Sequence, residues 1–408
     1  MIPQVKAKIK RIQLRSIPEG YKKTKVGVIP DMWRCYQIHE CLSICNHERK
    51  PISEDVRKTI PGPYPYYGPT QAQGYIATYE SEGPAVLIGE DGDHFLKYKD
   101  REMTMYVDGK YTVNNHAHVL RGTELCETKW FYYAYQHKSL FDAITRQGAG
   151  RYKLTKEVLI KLPLQCPPIE EQRKIISILN TQDKVIKLKE KRLAEKQRQK
   201  KYLMQQLLTG KKRLPGFSGA WKTDRLGKLF FERKETNCEN LEMLAITGTQ
   251  GIIPRKELDL KDNSSEDKSK YLRVCVGDIG YNTMRMWQGV SAYSNYEGIV
   301  SPAYTILKPS SSINAKYFAY LFKMPEIIFL FYRFSQGLVD DTRNLKYENF
   351  KKIKVCYPPD MKEQTAIAEV LSTADHEIDL LQQDIEQEKQ KKKALMRLLL
   401  AGIVRVKV

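Results

Sequence analysis

Two Pro-Pro pairs are the first residues of this sequence whose type and spacing could do chemistry. Amino-methyltransferases hold a flipped base with an Asn or Asp, two prolines and an aromatic residue. Here Cys166-Pro167-Pro168-Ile169 and Tyr357-Pro358-Pro359-Asp360 lack both the amide or acid before the prolines and the aromatic residue after them. We therefore interpret both pairs as helix starts. No glycine-rich loop is followed by Gly-Lys-Ser/Thr, which argues against a P-loop ATPase.

A short pattern near the start of the chain matches a metal-nuclease scheme. Pro30-Asp31 followed by Glu48-Arg49-Lys50 fits the loose Pro-Asp … Glu-x-Lys arrangement, in which two carboxylates hold a metal ion. Asn46-His47, which come before Glu48, do not resemble a buried strand, and the second half has Glu232-Arg233-Lys234 but no aspartate after Pro215. A match this short favours ordinary surface residues, so the sequence predicts no catalytic residue.

The spacing of the cysteine and histidine residues does not predict a metal site. His39, Cys41, Cys45 and His47 lie close together, but they lack the Cys-x2-Cys spacing typical of zinc sites. The chain has eight cysteines, and no signal peptide or membrane-spanning apolar window is visible. We therefore expect reduced core thiols, no bound metal and a cytoplasmic location.

The charge of the chain indicates the type of partner. The formal net charge is +20 at pH 7 and the pI is about 9.4. An excess of this size favours a polyanionic partner, most simply double-stranded DNA. A solvated basic surface with no nucleic-acid role is the alternative, because part of the lysine lies on helix faces.

Residues suited to reading DNA bases occur in loops of two regions. Arg or Lys recognises guanine, and Asn or Gln recognises adenine, through paired hydrogen bonds. In the first region the candidates are Tyr66, Tyr67, Gln71, Gln73, Asn114, His116, Arg146, Arg151 and Lys153. In the second they are Gln250, Arg255, Arg285, Trp287, Gln288, Arg343, Asn344 and Lys346. Any one of them could be an ordinary solvated side chain, so the clusters are the stronger prediction.

The elements that must position these residues occur twice. Pro167-Pro168 precedes Glu171-Gln172, and Pro358-Pro359 precedes Glu363-Gln364. From the glutamate onward the second copy follows the first at a spacing of 363 − 171 = 192 residues. A period this long is too large for a solenoid of short repeats and indicates a chain of two similar halves.

Each copy continues as a long amphipathic helix. Apolar residues recur at alternating steps of four and three, the a/d pattern of a coiled coil. A helix over residues 172–208 would be about 55 Å long, at about 1.5 Å per residue. The predicted seam residues are Ile175, Leu179, Ile186, Leu193, Leu203, Leu207, Ile367, Leu371, Ile378, Leu381, Ile385, Leu395 and Leu399. Since neither helix can bury its stripe alone, we predict an antiparallel coiled coil; packing of each helix on its own mixed domain is the alternative.

Short β-like runs and one aromatic helix candidate characterise the region before each long helix. The aromatic candidates cover residues 129–135 and 316–322. The predicted fold class is α+β: two mixed α/β domains, separated and joined by the two long helices, with a pseudo-two-fold internal duplication. We assign residues 1–153 and 214–344 to the two mixed domains, and residues 154–213 and 345–408 to the central and C-terminal helical regions.

The helical blocks resemble those of a known family. The first block contains Pro167-Pro168-Ile169-Glu170-Glu171-Gln172 and ends with Leu207-Leu208-Thr209-Gly210-Lys211-Lys212-Arg213. It is similar to the central region of the specificity (S) subunits of type I restriction-modification systems. The second block resembles the C-terminal region of the same subunits and departs from it at Asp360-Met361-Lys362, which adds one residue. The resemblance covers the full length in architecture, but the specific motifs lie in the helical blocks and their flanks.

The resemblance implies a non-catalytic DNA-binding subunit. Two target recognition domains would each read one half of a split DNA target, and the paired helices would set the spacing and dock two methyltransferase (M) subunits. Restriction/translocase (R) subunits would complete the complex. S-adenosylmethionine, ATP and Mg²⁺ would be bound by the partner subunits, which would methylate adenine at N6, and this chain would hold no cofactor. The competing interpretations are a free-standing DNA methyltransferase or nuclease, and a basic coiled-coil adaptor.

Overall fold

The computed structural model describes residues 3–14, 16–147, 151–248, 251–258 and 267–407. The chain divides into two compact units. Unit 1 comprises residues 1–188 and 385–408, and unit 2 comprises residues 189–384. Both units mix helices and strands, which confirms the α+β prediction. The division cuts each long helix, so each unit holds a part of both; the four-segment assignment made from the sequence stays a prediction.

The helices include both aromatic candidates and both long helices of the sequence pattern. The α-helices are α1 (Pro3–Gln13), α2 (Ile38–Cys41), α3 (Glu54–Thr59), α4 (Thr128–Tyr135), α5 (Lys156–Leu159), α6 (Ile169–Leu207), α7 (Leu226–Leu229), α8 (Ala315–Leu321), α9 (Pro325–Phe334), α10 (Tyr347–Phe350) and α11 (Met361–Leu400). Among the described helices, none is long and apolar enough to cross a membrane. The two long helices, α6 and α11, have 39 and 40 residues.

Unit 1 is built on two four-stranded sheets. Its strands are β1 (Tyr21–Thr24), β2 (Gly27–Pro30), β3 (Arg34–Gln37), β4 (Leu42–Ile44), β5 (Pro61–Tyr67), β6 (Ala72–Ile76), β7 (Ser81–Glu82), β8 (Ala85–Gly89), β9 (Asp91–Gly92), β10 (Thr104–Val107), β11 (Lys110–Val113), β12 (Ala117–Gly122), β13 (Thr145–Gln147), β14 (Arg151–Lys153) and β15 (Pro163–Cys166). One sheet has the order β10-β8-β12-β4 and is antiparallel; the other has the order β6-β5-β11-β7 and contains one parallel pair, β5 with β11. Strands β15 and β3 form a separate two-stranded antiparallel ribbon.

Unit 2 repeats part of this plan with fewer strands. Its strands are β16 (Lys222–Arg225), β17 (Phe230–Glu232), β18 (Leu244–Thr247), β19 (Gly251–Pro254), β20 (Leu272–Val274), β21 (Ile279–Asn282), β22 (Ser291–Tyr293), β23 (Gly298–Val300), β24 (Tyr304–Pro309) and β25 (Lys354–Tyr357). The antiparallel sheet β17-β24-β21-β22 holds the core, and the ribbon β16-β25 corresponds to β3-β15 of unit 1. The duplication therefore extends into the mixed domains.

The predicted seam residues face inward throughout. Leu193, Leu203, Leu381 and Leu395 are half-buried, and the other nine are buried. The ends of the seam join the cores of the mixed domains: Ile175 and Leu179 pack in the main core of unit 1, and Ile367 and Leu371 pack in that of unit 2. The alternative, packing on the domains, therefore holds at the seam ends.

The two long helices run antiparallel inside each unit. In unit 2, ion pairs join Lys189 to Asp384 at 2.8 Å and Lys196 to Glu377 at 2.6 Å, so residue numbers rise along α6 as they fall along α11. In unit 1 the amide of Gln182 donates a hydrogen bond to a carboxylate oxygen of α11. The middle of the seam is thus polar, and these pairs fix the register of the helices.

Both long helices end at a glycine in the left-handed region. Gly210 has φ +70° and Gly402 has φ +64°, a conformation that L side chains rarely adopt. A Cβ atom on Gly402 would lie 2.5 Å from Pro30 and 3.2 Å from Trp33. A Cβ on Gly210 would lie 3.3 Å from Trp221. These two glycines therefore also let the chain approach an indole ring closely in each unit.

Candidate nucleic-acid interface

The repeated Glu-Gln pair fixes the start of each long helix. Gln172 accepts a hydrogen bond at Oε1 from the backbone N of Glu127 (2.9 Å) and donates from Nε2 to the carbonyl of Pro167 (2.9 Å). In unit 2, Gln364 accepts from the backbone N of Asn314 (2.8 Å) and donates to the carbonyl of the first proline of its own pair (2.9 Å). The motif thus ties the long helix to the start of the aromatic helix, which is why both halves retain it.

The glutamate of the motif binds an arginine that follows the other long helix. Glu171, 1% exposed, accepts from Arg405 at both carboxylate oxygens (2.5 and 2.7 Å) and from the indole of Trp33 (3.0 Å). In unit 2, Glu363 accepts two hydrogen bonds from Arg213 at the same distances. A paired guanidinium is the partner that a buried carboxylate needs. Each mixed domain is therefore attached to both long helices.

A tyrosine, an aspartate and a lysine form a second repeated contact. In unit 1 the hydroxyl of Tyr133 donates to Asp183 (2.7 Å), which also pairs with Lys392 (2.7 Å). Burial and the neighbouring Asp183 raise the pKa of Tyr133 far above its usual value, so its hydroxyl keeps its proton as a donor. The same contact in unit 2 is formed by Tyr320, Asp375 and Lys200. The domain, α6 and α11 meet at this group.

Several predicted base-reading residues of unit 1 lie at its surface. Gln71 is exposed in the turn between β5 and β6, Gln73 is exposed on β6, and Tyr67 is half-buried at the end of β5. Arg146 is exposed on β13, which pairs with β14. The structure thus places these side chains on two hairpins of unit 1, where polar groups can reach a ligand. Their contact with bases stays a prediction.

Two candidates of unit 1 are corrected by the structure. Tyr66 is 1% exposed, and its hydroxyl accepts from the backbone N of Ile52 (2.9 Å) and donates to the carbonyl of Lys50 (3.1 Å). Asn114 is 5% exposed, and its side chain accepts from the backbone N of His116 (2.8 Å). Both residues stabilise loops, because their polar atoms are already satisfied inside the domain.

Two further candidates of unit 1 are partly occupied by acidic partners. Lys153 pairs with Glu90 at 3.4 Å, and His116 lies 3.0 Å from Asp91. Both are half-buried. Of the remaining predicted residues, Gln250 and the side chain of Arg151 lie outside the described residues.

In unit 2 the candidates from two distant segments come together. The ring of Trp287 lies 6.2 Å from that of Tyr332, and the guanidinium of Arg343 stacks 4.1 Å above the same tyrosine. Arg285 and Gln288 flank Trp287 and are exposed. We call these five residues the Trp287 cluster. It combines cationic groups with aromatic faces, the combination that proteins use to contact phosphates and bases.

Two other candidates of unit 2, Asn344 and Lys346, lie at the end of the loop 336–344 or just beyond it, whereas Arg255 directly follows β19. The backbone of Asn344 exchanges two hydrogen bonds with Gln336 (2.7 and 2.8 Å), which closes the loop between them. Lys346 is exposed just beyond it, and Arg255 is half-buried. Leu338, at the loop tip, is 99% exposed. Neither Tyr332 nor Leu338 was predicted from the sequence, because an apolar or aromatic residue beside a helical run gives no signal of exposure.

Two residues of the nuclease-like pattern, Glu48 and Lys50, are engaged in ion pairs. Glu48 pairs with Arg121 at 2.8 Å, and Lys50 pairs with Glu80 at 2.5 Å. Desolvation opposes ionisation of Glu48, but its hydrogen bond to Arg121 wins and lowers the pKa of the carboxyl. The arrangement favours the interpretation of this pattern as ordinary ion pairs.

The cysteines differ in burial more than the sequence predicted. Cys41, Cys45, Cys126 and Cys166 are buried, whereas Cys356 is exposed. The expectation of core thiols is therefore wrong for Cys356, which points outward from β25. All eight are free thiols.

Comparison with known proteins assigns both halves to one family. Residues 30–198 and 239–390 match the family described as type I restriction modification DNA specificity domain. The chain is 34% identical over 143 residues to a putative type I restriction enzyme specificity subunit of Haemophilus influenzae, a match that spans 35% of each protein. It is 24% identical to the putative MjaX specificity subunit of Methanocaldococcus jannaschii, over 95% of this chain and 97% of that protein.

The fold agrees with this assignment. The structure is similar to the crystal structure of a type I restriction-modification S subunit from M. genitalium, with a TM-score of 0.61 and 14% identity, over 90% of this chain and 96% of that one. An identity this low supports the fold alone. The family matches extend over most of both units and include the Glu-Gln pair at the start of each long helix. The chain therefore belongs to the type I restriction modification DNA specificity family.

Proposed function

We propose that this chain recognises a split DNA target, one half with each mixed domain, as the specificity subunit of a type I restriction-modification complex. The main support is a contrast between the two units. The Glu-Arg and Tyr-Asp-Lys contacts that hold each domain to the helices are the same in both. The exposed loops differ, with Gln71 and Gln73 in unit 1 and the Trp287 cluster in unit 2. A shared scaffold that presents different loops suits two different half-sites.

The charge of the chain supports DNA as the ligand. A net charge of +20 attracts the phosphate backbone without regard to sequence. Exposed glutamine and arginine side chains on hairpins and loops supply the groups that distinguish adenine from guanine in the major groove. Phosphate contacts would position the protein, and the loops would select the half-sites.

The paired long helices are the proposed spacer and docking surface. A 39-residue helix is about 58 Å long, at about 1.5 Å per residue. That length is comparable with one or two turns of DNA, since half-site readers are spaced by about 34–36 Å. A duplicated helix pair also offers two equivalent faces, which suits two M subunits, with R subunits completing the restriction complex.

The chemistry is proposed to belong to the partners. S-adenosylmethionine would bind to the M subunits, which would methylate adenine at N6, and ATP and Mg²⁺ would serve the R subunits. The complex would act in the cytoplasm, where DNA is accessible. A free-standing methyltransferase or nuclease is the second candidate, and the purified chain alone would then bind S-adenosylmethionine or cleave DNA with Mg²⁺.

Methylation mapping tests the proposed function. DNA from the source cell, with and without this gene, is sequenced by a method that detects N6-methyladenine. We expect one two-part motif to lose methylation when the gene is deleted and to regain it when the gene is restored. An unchanged methylation pattern in a cell whose M subunit is active would contradict the proposal.

A salt titration distinguishes DNA recognition from an adaptor role. DNA binding by the full chain with its M subunit is measured over a range of salt concentrations. A protein that neutralises phosphates loses affinity steeply as salt rises, with a slope of about −0.9 per phosphate contact. A shallow slope, equal for DNA with and without the methylated motif, would favour the basic coiled-coil adaptor.

A further inference from the structure

Three cysteines meet in the core of unit 1. Cys41 ends α2, Cys126 lies just before α4, and Cys166 ends β15. All three are buried, and their Sγ atoms lie within 4.8 Å of one another. The DNA-binding role proposed above uses none of them. We call them the three-thiol cluster.

The geometry of the three-thiol cluster fits a single metal ion. A metal-thiolate bond is about 2.3 Å long, so three sulfurs spread evenly around one ion lie about 4 Å apart. This separation falls inside the limit that the structure shows. Cys41 and Cys166 are the last residues of a helix and a strand, and Cys126 lies in the short loop between β12 and α4. The packed core of unit 1 therefore holds their positions.

Among the residues that the structure describes, no other cysteine, histidine or carboxylate has a ligand atom within 4.8 Å of all three sulfurs. Cys35 is near, but it pairs with Gln165 across β3 and β15, whereas Cys166 pairs with Arg34. Directly paired residues share a face of the ribbon, so Cys35 and Cys166 point to opposite faces. The donor set is three sulfurs.

The second unit shows that the fold does not need cysteine at these places. Leu229 ends α7 as Cys41 ends α2, and Tyr357 ends β25 as Cys166 ends β15. Ile313 precedes the residue that binds Gln364, as Cys126 precedes the residue that binds Gln172. The three positions of unit 2 are therefore Leu229, Ile313 and Tyr357, all of them buried.

Each of these three side chains is larger than cysteine. The same scaffold is thus filled by leucine, isoleucine and tyrosine in one unit and lined by three sulfurs in the other. If cysteine served only as a small apolar residue here, nothing would require all three positions of unit 1 to carry sulfur. Unit 2 therefore shows that the fold does not require a thiol at any of these three positions.

We propose that Cys41, Cys126 and Cys166 form a structural site for one soft metal ion, of which copper(I) fits best. Soft thiolate ligands select copper(I) or zinc over magnesium and calcium, which require oxygen ligands. Structural zinc sites almost always have four protein ligands, whereas copper(I) accepts three sulfurs. Each thiol that binds as thiolate releases one proton, so binding strengthens as pH rises. The ion enters while unit 1 folds or opens locally, since the site is closed in the folded state.

Metal titration of the full chain tests this site. The protein is prepared without oxygen and with a reductant, and copper(I) is titrated against a coloured copper(I) chelator; zinc is titrated separately. We expect one copper(I) per chain, held more tightly than zinc, and X-ray absorption should show three sulfur neighbours. Fewer than three sulfurs, or tighter binding of zinc, would overturn the three-coordinate copper site.

Variants locate the bound ion. Cys126→Ser should weaken copper(I) binding by about 100-fold or more, beyond the loss that changes around a metal site usually cause. The matched control is Cys356→Ser, which removes an exposed thiol and should leave the affinity unchanged. Equal affinity in the wild type and Cys126→Ser would overturn the proposal. If Cys126→Ser does not fold, the number of sulfur neighbours of copper in the wild-type protein, measured by X-ray absorption, still tests the proposed site.

Discussion

Arg405 donates two hydrogen bonds to Glu171 across 234 residues of sequence. Glu171 lies at the start of one long helix, and Arg405 follows the end of the other. The contact belongs to unit 1, and the pair Arg213–Glu363 repeats it in unit 2. An ion pair between the ends of two antiparallel helices attaches both helices to one mixed domain. It therefore contributes to the stability of that unit and holds its two long helices together.

Arg405→Met should destabilise unit 1 selectively. The change leaves Glu171 buried without its cation; removing one partner of a buried pair costs about 3–5 kcal/mol, and the partial exposure of Arg405 reduces this to about 2 kcal/mol. Hydrogen exchange in peptides around Trp33 measures the loss. Arg213→Met should weaken unit 2 instead. Equal effects of both variants on both units would contradict the local role of each pair.

Tyr133 and Lys392 should be energetically coupled through Asp183. Tyr133→Phe removes one hydrogen bond to the carboxylate, which is worth about 1 kcal/mol, or up to about 3 kcal/mol because the acceptor is charged. A double-mutant cycle with Lys392→Met should give a coupling of about 0.5–3 kcal/mol. Tyr75→Phe, at an exposed tyrosine of unit 1, is the matched control and should change stability little. Additive single effects would show that the three groups act separately.

Arg285→Ala should weaken binding at one half-site only. Its guanidinium is exposed in the Trp287 cluster, and the loss of a base contact costs about 1–3 kcal/mol of discrimination. The measurement compares DNA in which only one half-site is mutated. Lys228→Ala removes the same charge from an exposed position on α7 and serves as the control. An equal loss on random DNA would reduce Arg285 to a phosphate contact.

Removal of one heptad from each long helix should shorten the preferred gap between half-sites. Deleting residues 190–196 together with 377–383 removes a matched pair of segments, including the Lys196–Glu377 ion pair. The helices become about 10 Å shorter, at about 1.5 Å per residue, which corresponds to about three base pairs. Selection from DNA with randomised gap lengths measures the preference. An unchanged gap in a folded variant would show that the helices do not set the spacing.

The parts of the fold with a strong local period were predictable. The steps of four and three predicted both long helices, and the thirteen predicted seam residues are buried or half-buried, because burial of one helix face repeats along the chain. The aromatic runs predicted α4 and α8 for a similar reason, since large apolar side chains at helical spacing need a core. The repeated Glu-Gln pair was visible, but its partners Arg213 and Arg405 were not, because the antiparallel register joins residues far apart in sequence.

The candidate interface was less predictable. Tyr66 and Asn114 have the composition of base readers but lie inside unit 1, because tyrosine and asparagine also close loops. Trp287 and Arg343 were identified in separate segments, and only the fold brings both against Tyr332. The three-thiol cluster had no signal, since Cys126 and Cys166 have no short spacing to Cys41.

Unit 1 is formed by two separate stretches of the chain, and this affects how it can fold during synthesis. Unit 2 is one continuous stretch of chain, residues 189–384, whereas unit 1 needs residues 385–408 in addition to those made first. During synthesis, residues 1–188 of unit 1 therefore emerge before the segment that completes the unit. Glu171 has no Arg405 to pair with until all of unit 2 has been made. A stop codon near residue 385 would leave unit 2 complete and unit 1 without its C-terminal segment.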